Sequence, residues 1–202
     1  LERRIGWCLA GPPSPKWAQK IYPEMSTSEA VEKLWSDIFS MTFADQSDCL
    51  QLWSDHLDRL ARRTRLLDGK EIKNLRFINE KIEPDLTVTL SPKARWVSGR
   101  KQTAKGIDVC LNIPTFEVFT TPDWRGTTGQ VSLTRPVMIN GTLVEGLKIK
   151  FQDGEIVETS ADKNGSVYDA LINTPGDPTA KRLGEVALVG VDSPIFQSRR
   201  IF

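Results

Sequence analysis

Apolar residues in the first third of the chain recur at intervals of three and four, and after Gly69 they alternate with polar ones. The first pattern is helical and the second is that of half-buried strands. Trp17 to Tyr22 reads as a short helix stopped by Pro23, following a Gly11-Pro12-Pro13-Ser14-Pro15 stretch that can only be loop or extended chain. Ser26-Thr27-Ser28-Glu29 fits a capping box, in which serine oxygen and glutamate carboxylate satisfy the free amides of a helix start. Val31, Leu34, Trp35, Ile38 and Phe39 then share one helical face. A third helix is marked by Leu50, Trp53, Leu57, Leu60, Ala61, Thr64 and Leu67. It is expected to stop near Gly69, with Arg59, Arg62, Arg63 and Arg65 on its opposite face.

The strand pattern is visible in Leu75 to Ile78, Leu86 to Leu90 and Ile107 to Leu111. Its clearest hairpin is Leu147 to Phe151 joined through Gln152-Asp153-Gly154 to Glu155-Ile156-Val157, because Asp-Gly suits the positive φ angles of a tight turn. Val167 to Ile172 reads as a further helix and Leu183 to Val191 as an apolar strand. The change of period places a domain boundary between residues 68 and 69. No internal repeat is present.

Composition narrows the class. In 202 residues, hydrophobic positions at 39% and charged ones at 26% describe a soluble globular chain of one large or two small domains. The 27 basic residues against 26 acidic ones leave a net charge of +1. Such a balance gives no field for nucleic acid or an anionic membrane surface, so neither is expected as a partner. The cysteines at 8, 49 and 110 form no CxxC pair, which favours free thiols in a reducing compartment, by default the cytoplasm. No stretch reaches the roughly 18 apolar residues of a spanning helix. The chain opens on Leu1 and closes on Arg199-Arg200-Ile201-Phe202 without a helix stop signal, as expected of part of a longer chain.

The candidate chemistry lies in two glutamates. In Leu183-Gly184-Glu185-Val186-Ala187-Leu188-Val189, alternation puts Glu185 on one face with Leu183, Ala187 and Val189, where a carboxylate is not expected to reach water easily. Glu117 repeats the arrangement in Asn112-Ile113-Pro114-Thr115-Phe116-Glu117-Val118-Phe119-Thr120. An unpaired buried charge costs several kcal/mol, so each acid needs a proton, a base or a cation. The alternatives are pairing with Arg135 or Arg182, or one cation site shared by both acids. His56, the single histidine, reads as a helix-surface residue beside the third helix's apolar face. Ser193 before Pro194 reads as a turn serine, and Trp35 and Trp53 as core residues on helix faces. No phosphate-cradling GxxxxGK[ST] or GxGxxG occurs.

Several segments together are specific. Pro114-Thr115-x-Glu117-Val118-Phe119-Thr120 and Leu183-Gly184-Glu185-Val186-Ala187-Leu188-Val189 occur in that order and at that separation. They are accompanied by Trp17-Ala18 with Tyr22-Pro23, Glu29-Ala30-Val31 with Leu34-Trp35, Asp85-Leu86-Thr87-Val88, Thr134-Arg135-Pro136 and Asp192-Ser193-Pro194-Ile195. Along nearly all of its length the sequence resembles the M29 family of metal-dependent aminopeptidases, the thermophilic-aminopeptidase group. It departs from that family at Phe116, where members often carry another acid, and in Trp124-Arg125-Gly126.

The resemblance implies an α+β / α/β fold class. Residues 1–68 would be the end of an α/β N-terminal domain, and 69–202 the strand-rich first part of an α+β catalytic domain. It implies that Glu117 and Glu185 are ligands of a two-metal centre holding zinc or cobalt, which activates a water against the first peptide carbonyl of a peptide substrate. The family's remaining ligands, histidines and an aspartate, would lie beyond Phe202, and no catalytic residue is assigned within this chain. The complete enzyme would be a homodimer. The rival expectation is a non-catalytic binding or structural domain whose buried glutamates pair with arginine.

Overall fold

The computed structural model describes residues 5–79 and 85–200. Of the residues on which the expectation of a longer chain rests, Leu1, Ile201 and Phe202 lie outside the described residues. After a two-residue strand, three helices precede a run of mostly antiparallel strands with two short helices near its end, which makes the fold α+β.

Helix α1 (Pro15–Ile21) starts where Ser14 accepts a hydrogen bond from the Trp17 amide, with proline in its first turn where no amide partner is needed. Helix α2 (Thr27–Met41) has the expected capping box. The Ser26 hydroxyl accepts from the Glu29 amide while the Glu29 carboxylate accepts from the Ser26 amide. The two helices bury Ala18, Tyr22, Ala30 and Leu34 against each other. The apolar face of α2 is wider than its partner. A seven-residue α1 covers Ala30 and Leu34, with Val31 and Ile38 at the margin, so Trp35 and Phe39 remain exposed and stack with ring centroids 5.2 Å apart. The expectation that Trp35 is a core residue is corrected accordingly. Arg200 closes over this pair from far along the chain, donating from Nη1 to the Ile21 carbonyl at 3.1 Å and lying 4.5 Å above the Tyr22 ring.

Helix α3 (Cys49–Asp68) ends at Gly69 as expected, and it joins the strands. Leu60, together with half-buried Leu67, packs into one core with Leu86, Val88, Trp96, Val118, Val144 and Val186. Leu50 points to solvent from the first turn. That core covers a five-stranded antiparallel sheet built from β2 (Asn74–Ile78), β3 (Asp85–Leu90), β8 (Pro122–Ser132), β11 (Lys148–Gln152) and β12 (Glu155–Ser160), in the order β12-β11-β8-β3-β2. The β11–β12 hairpin turns on Asp153 and Gly154 with φ of 52° and 81°, the primed turn that Asp-Gly favours. The long central strand β8 was not legible as a strand. Its sequence, PDWRGTTGQVS, lacks alternation because its glycines serve close approach: a Cβ on Gly126 would meet Thr89, and one on Gly129 would meet the Asp85 carbonyl.

Short pairs complete the fold. Strand β1 (Leu9–Ala10) runs parallel to β6 (Asn112–Ile113), and β4 (Arg100–Gln102) pairs with β5 (Asp108–Cys110). Strand β9 (Val137–Ile139) turns into β10 (Thr142–Val144) through Asn140-Gly141. Helix α4 (Gly165–Ile172) lies where the sequence placed one. The Leu183 to Val191 strand contracts to β13 (Val186–Val189), which is followed by α5 (Pro194–Ser198). Ser193 is the N-cap of α5 rather than a free turn serine, accepting from the Phe196 amide. Among the described residues no helix is long and apolar enough to cross a membrane.

Candidate metal centre

Strand β7 (Glu117–Thr120) pairs antiparallel with β13, with Glu117 opposite Val189, Phe119 opposite Ala187 and Val118 opposite Leu188. Side chains on a strand alternate, so this register sorts the two-stranded ribbon into faces. Val118, Thr120 and Val186 are buried on one face. Glu117 and Phe119 share the other with Val189 and Ala187. Glu185 directly precedes β13, and the same alternation puts it on this second face at the opposite end. The offset from Val189 to Glu185 is four residues, about 13 Å along the strands at ~3.3 Å per residue. Burial raises the Glu117 carboxyl above its ordinary range, and the negative charge of Glu185 raises it further.

Burial differs from expectation for Glu185. Its carboxylate was expected to be cut off from water, yet Glu185 and Ala187 are exposed and Val189 is too. The core packs on the Val186 side of β13, and Ala187 and Val189 on the other side are exposed. Glu117 is half-buried. Beside Glu185, an open cleft of about 360 Å³ is lined by Ser91, Lys93, Arg95, Phe119, Thr121 and Gly184.

Neither arginine named as a possible partner reaches these acids. Arg135 donates to the Phe196 carbonyl at 2.9 Å and lies over the Phe196 ring. Arg182 donates to the Trp124 carbonyl, stacks 4.5 Å from the Trp124 ring and faces Glu155 at 3.7 Å. Among the described residues no group of three or more histidine, cysteine, aspartate or glutamate side chains is gathered tightly enough to hold a metal ion. Two carboxylates are oxygen donors suited to a divalent cation, but they supply fewer than the three protein ligands usual for zinc.

His56 corrects the sequence reading most sharply. It is buried rather than on the helix surface, 6% exposed, and its Nε2 lies 2.8 Å from the Thr115 carbonyl, two residues before Glu117. The carbonyl can only accept, so Nε2 carries the proton. The ring packs 4.6 Å from Phe116, 5.3 Å from Trp53 and 6.1 Å from Phe43, centroid to centroid. Burial lowers its pKa, the Thr115 carbonyl opposes that shift, and the positive charges of Arg59 and Arg63 reinforce it. The signal was in the helical period: Trp53, His56, Leu57 and Leu60 stand at the i, i+3, i+4, i+7 positions of one buried stripe.

The architecture has a solved counterpart. The chain superposes on wild-type AmpT from Thermus thermophilus with a TM-score of 0.85 and 35% identity, over 94% of this chain and 45% of that one. The sequence matches the thermophilic metalloprotease (M29) family over residues 1–202, and the chain belongs to that family. It is 40% identical to aminopeptidase 2 of Geobacillus stearothermophilus over 202 residues, 100% of this chain and 48% of that protein. It is 38% identical to aminopeptidase PepS of Streptococcus thermophilus over 199 residues, 98% of this chain and 47% of that protein. Identity to aminopeptidase T of Thermus aquaticus is also 38%, covering 97% of this chain and 47% of that protein. The chain thus spans about half the length of the curated relatives it matches.

Proposed function

We propose that the protein is a metal-dependent aminopeptidase that removes N-terminal residues from peptides, and that this chain contributes part of its active site. The observation that carries the reading is the placement of Glu117 and Glu185 on one face of the β7–β13 ribbon, each without an ion-pair partner among the described residues. Glu117 and Glu185 would each donate a carboxylate to one centre of two divalent ions, zinc or cobalt by resemblance. Bound there, such a pair supplies an activated water and polarises the scissile carbonyl. The chain's own residues hold and orient. Glu117 is fixed by a strand whose Val118 and Thr120 are buried. Glu185 stands at the mouth of the Lys93 and Arg95 cleft, where a peptide could lie along the ribbon.

The remaining ligands belong, in this reading, to parts of the enzyme outside this chain, and the complete enzyme is a cytoplasmic homodimer. Residues 1–68 are assigned to the N-terminal domain and 69–202 to the catalytic domain. Helix α3 would then be the joint between them, because its Leu60 and Leu67 pack with the strands.

The test is release of a free amino acid from an unblocked peptide, with added zinc or cobalt. It compares the 202-residue chain with the chain continued to the length of its relatives. The short form is expected to be inactive and the long form active, with Glu117→Gln or Glu185→Gln in the long form abolishing most of kcat/KM. Activity in the short form would show the constellation to be complete without further ligands. A long form indifferent to both substitutions would remove these glutamates from the site.

A further inference from the structure

We infer that His56 is a positioning residue for Glu117, acting through the backbone that leads into β7. The inference rests on the reading of Glu117 as a metal ligand. Pro114, Thr115 and Phe116 lie between β6 and β7, outside any strand ladder, and Pro114 has no amide hydrogen to anchor it. A segment of that kind is free to shift unless side chains grip it. Asn112 reaches the Pro114 carbonyl only at 3.5 Å. Thr115, by contrast, is buried, and its carbonyl accepts a short bond from His56 across 59 residues of sequence. On its other side Gly99 approaches so closely that a Cβ there would run into the Thr115 side chain.

Phe116 extends the grip. Its ring packs on His56 and meets Trp53 edge-on, so α3 holds both residues that precede Glu117, one by its carbonyl and one by its ring. Alternation then sends the next side chain, Glu117, away from α3 toward the open face. A metal ligand needs its carboxylate held against rotation and drift, and groups that orient ligands are commonly worth about 10–100-fold in metal affinity when removed. The Nε2 donor and the ring play separable parts here. Phenylalanine at 56 would preserve the aromatic packing and leave the Thr115 carbonyl buried without its donor. Glutamine would carry an amide N–H to about the same place.

The experiment uses the full-length protein and cobalt(II) as probe. It reads the dissociation constant by competition with a chelator, the visible spectrum of the bound ion, and the thermal midpoint. His56→Phe is expected to weaken cobalt binding about 10–100-fold and to alter the spectrum, with His56→Gln recovering most of the loss. Leu60→Ala, which opens a cavity in the sheet core but keeps the His56 donor and its ring contact with Phe116, serves as the structural control and is expected to lower the midpoint while leaving cobalt affinity within about threefold of wild type. If His56→Phe weakens cobalt no more than Leu60→Ala does, His56 is merely structural and the inference fails. Glu117→Gln separates the two levels. Loss of binding in that variant with none in His56→Phe overturns the positioning role alone, whereas unchanged binding in Glu117→Gln removes Glu117 as a ligand and the inference with it.

Discussion

Leu60→Ala is the sharpest test of how α3 is held. Leu60 is completely inaccessible and sits among side chains of the sheet core, including Leu86, Val88 and Val118. Truncation removes three carbon atoms, a transfer loss of roughly 2.4 kcal/mol at ~0.8 kcal/mol each. The neighbours on β3 and β7 are fixed by their ladders and cannot fall into the gap, so a cavity contribution of about 1 kcal/mol adds to it. The expected loss is therefore about 3–4 kcal/mol, or a fall in thermal midpoint of ~6–16 °C for a chain of this size. Leu50→Ala on the same helix is the internal reference. Leu50 is 85% exposed, so the same chemical change there is expected to stay within about 0.5 kcal/mol. Urea unfolding of both variants, followed by tryptophan fluorescence, measures the difference. Equal midpoints would mean that α3 is not docked on the sheet through Leu60.

Glu185→Gln is expected to lower the Glu117 pKa without returning it to the ordinary value, because burial, the larger cause, remains; carboxyl NMR titration of the metal-free protein reads this, and no change would place the acids beyond each other's influence. The buried His56 holds fewer protons when folded than when unfolded, so its contribution to stability is present above pH 6.5 and is lost as the pH falls toward its lowered pKa. His56→Phe is expected to abolish that component of acid sensitivity in urea midpoints measured across the window. Ser26→Ala removes one half of the α2 capping box and is expected to cost about 1 kcal/mol, seen as a matching drop in unfolding free energy. Gly129→Ala, at φ of 108° and with the Asp85 carbonyl in the way, is expected to cost well over ~1 kcal/mol, and a near-neutral midpoint would contradict the β3–β8 register.

What could be read from the sequence was what has a local cause. The capping box at Ser26 and Glu29, the stop at Gly69 and the Asp153-Gly154 turn each depend on a few adjacent residues, and each is in place. Failures arose where a partner distant in sequence decides. Trp35 and Phe39 belong to an apolar face, but α1 is too short to cover it. Strand β8 is a strand because its neighbours on both sides pair with it, against the preference of a sequence that carries Pro122, Asp123, Gly126 and Gly129. Both glutamates were visible as acids in apolar surroundings, but the exposure of Glu185 depends on what does or does not lie over β13. The role of His56 was obscured for the same reason, since its hydrogen-bond partner lies 59 residues away.

Arg200 bears on the order in which the molecule assembles. Its contacts with Ile21 and Tyr22 close a loop of 179 residues, an entropic debt of roughly 4–5 kcal/mol if the intervening chain were still unfolded. One hydrogen bond to a charged donor and one cation–π contact together return only about 2–4 kcal/mol. The clasp therefore cannot nucleate folding. It forms once the sheet and α5 have brought residue 200 back beside α1, and a clasp held by so few contacts is expected to open locally ahead of the sheet. In native-state hydrogen exchange, the amides around residues 199–200 are expected to exchange by local opening, well ahead of those in β3 and β8.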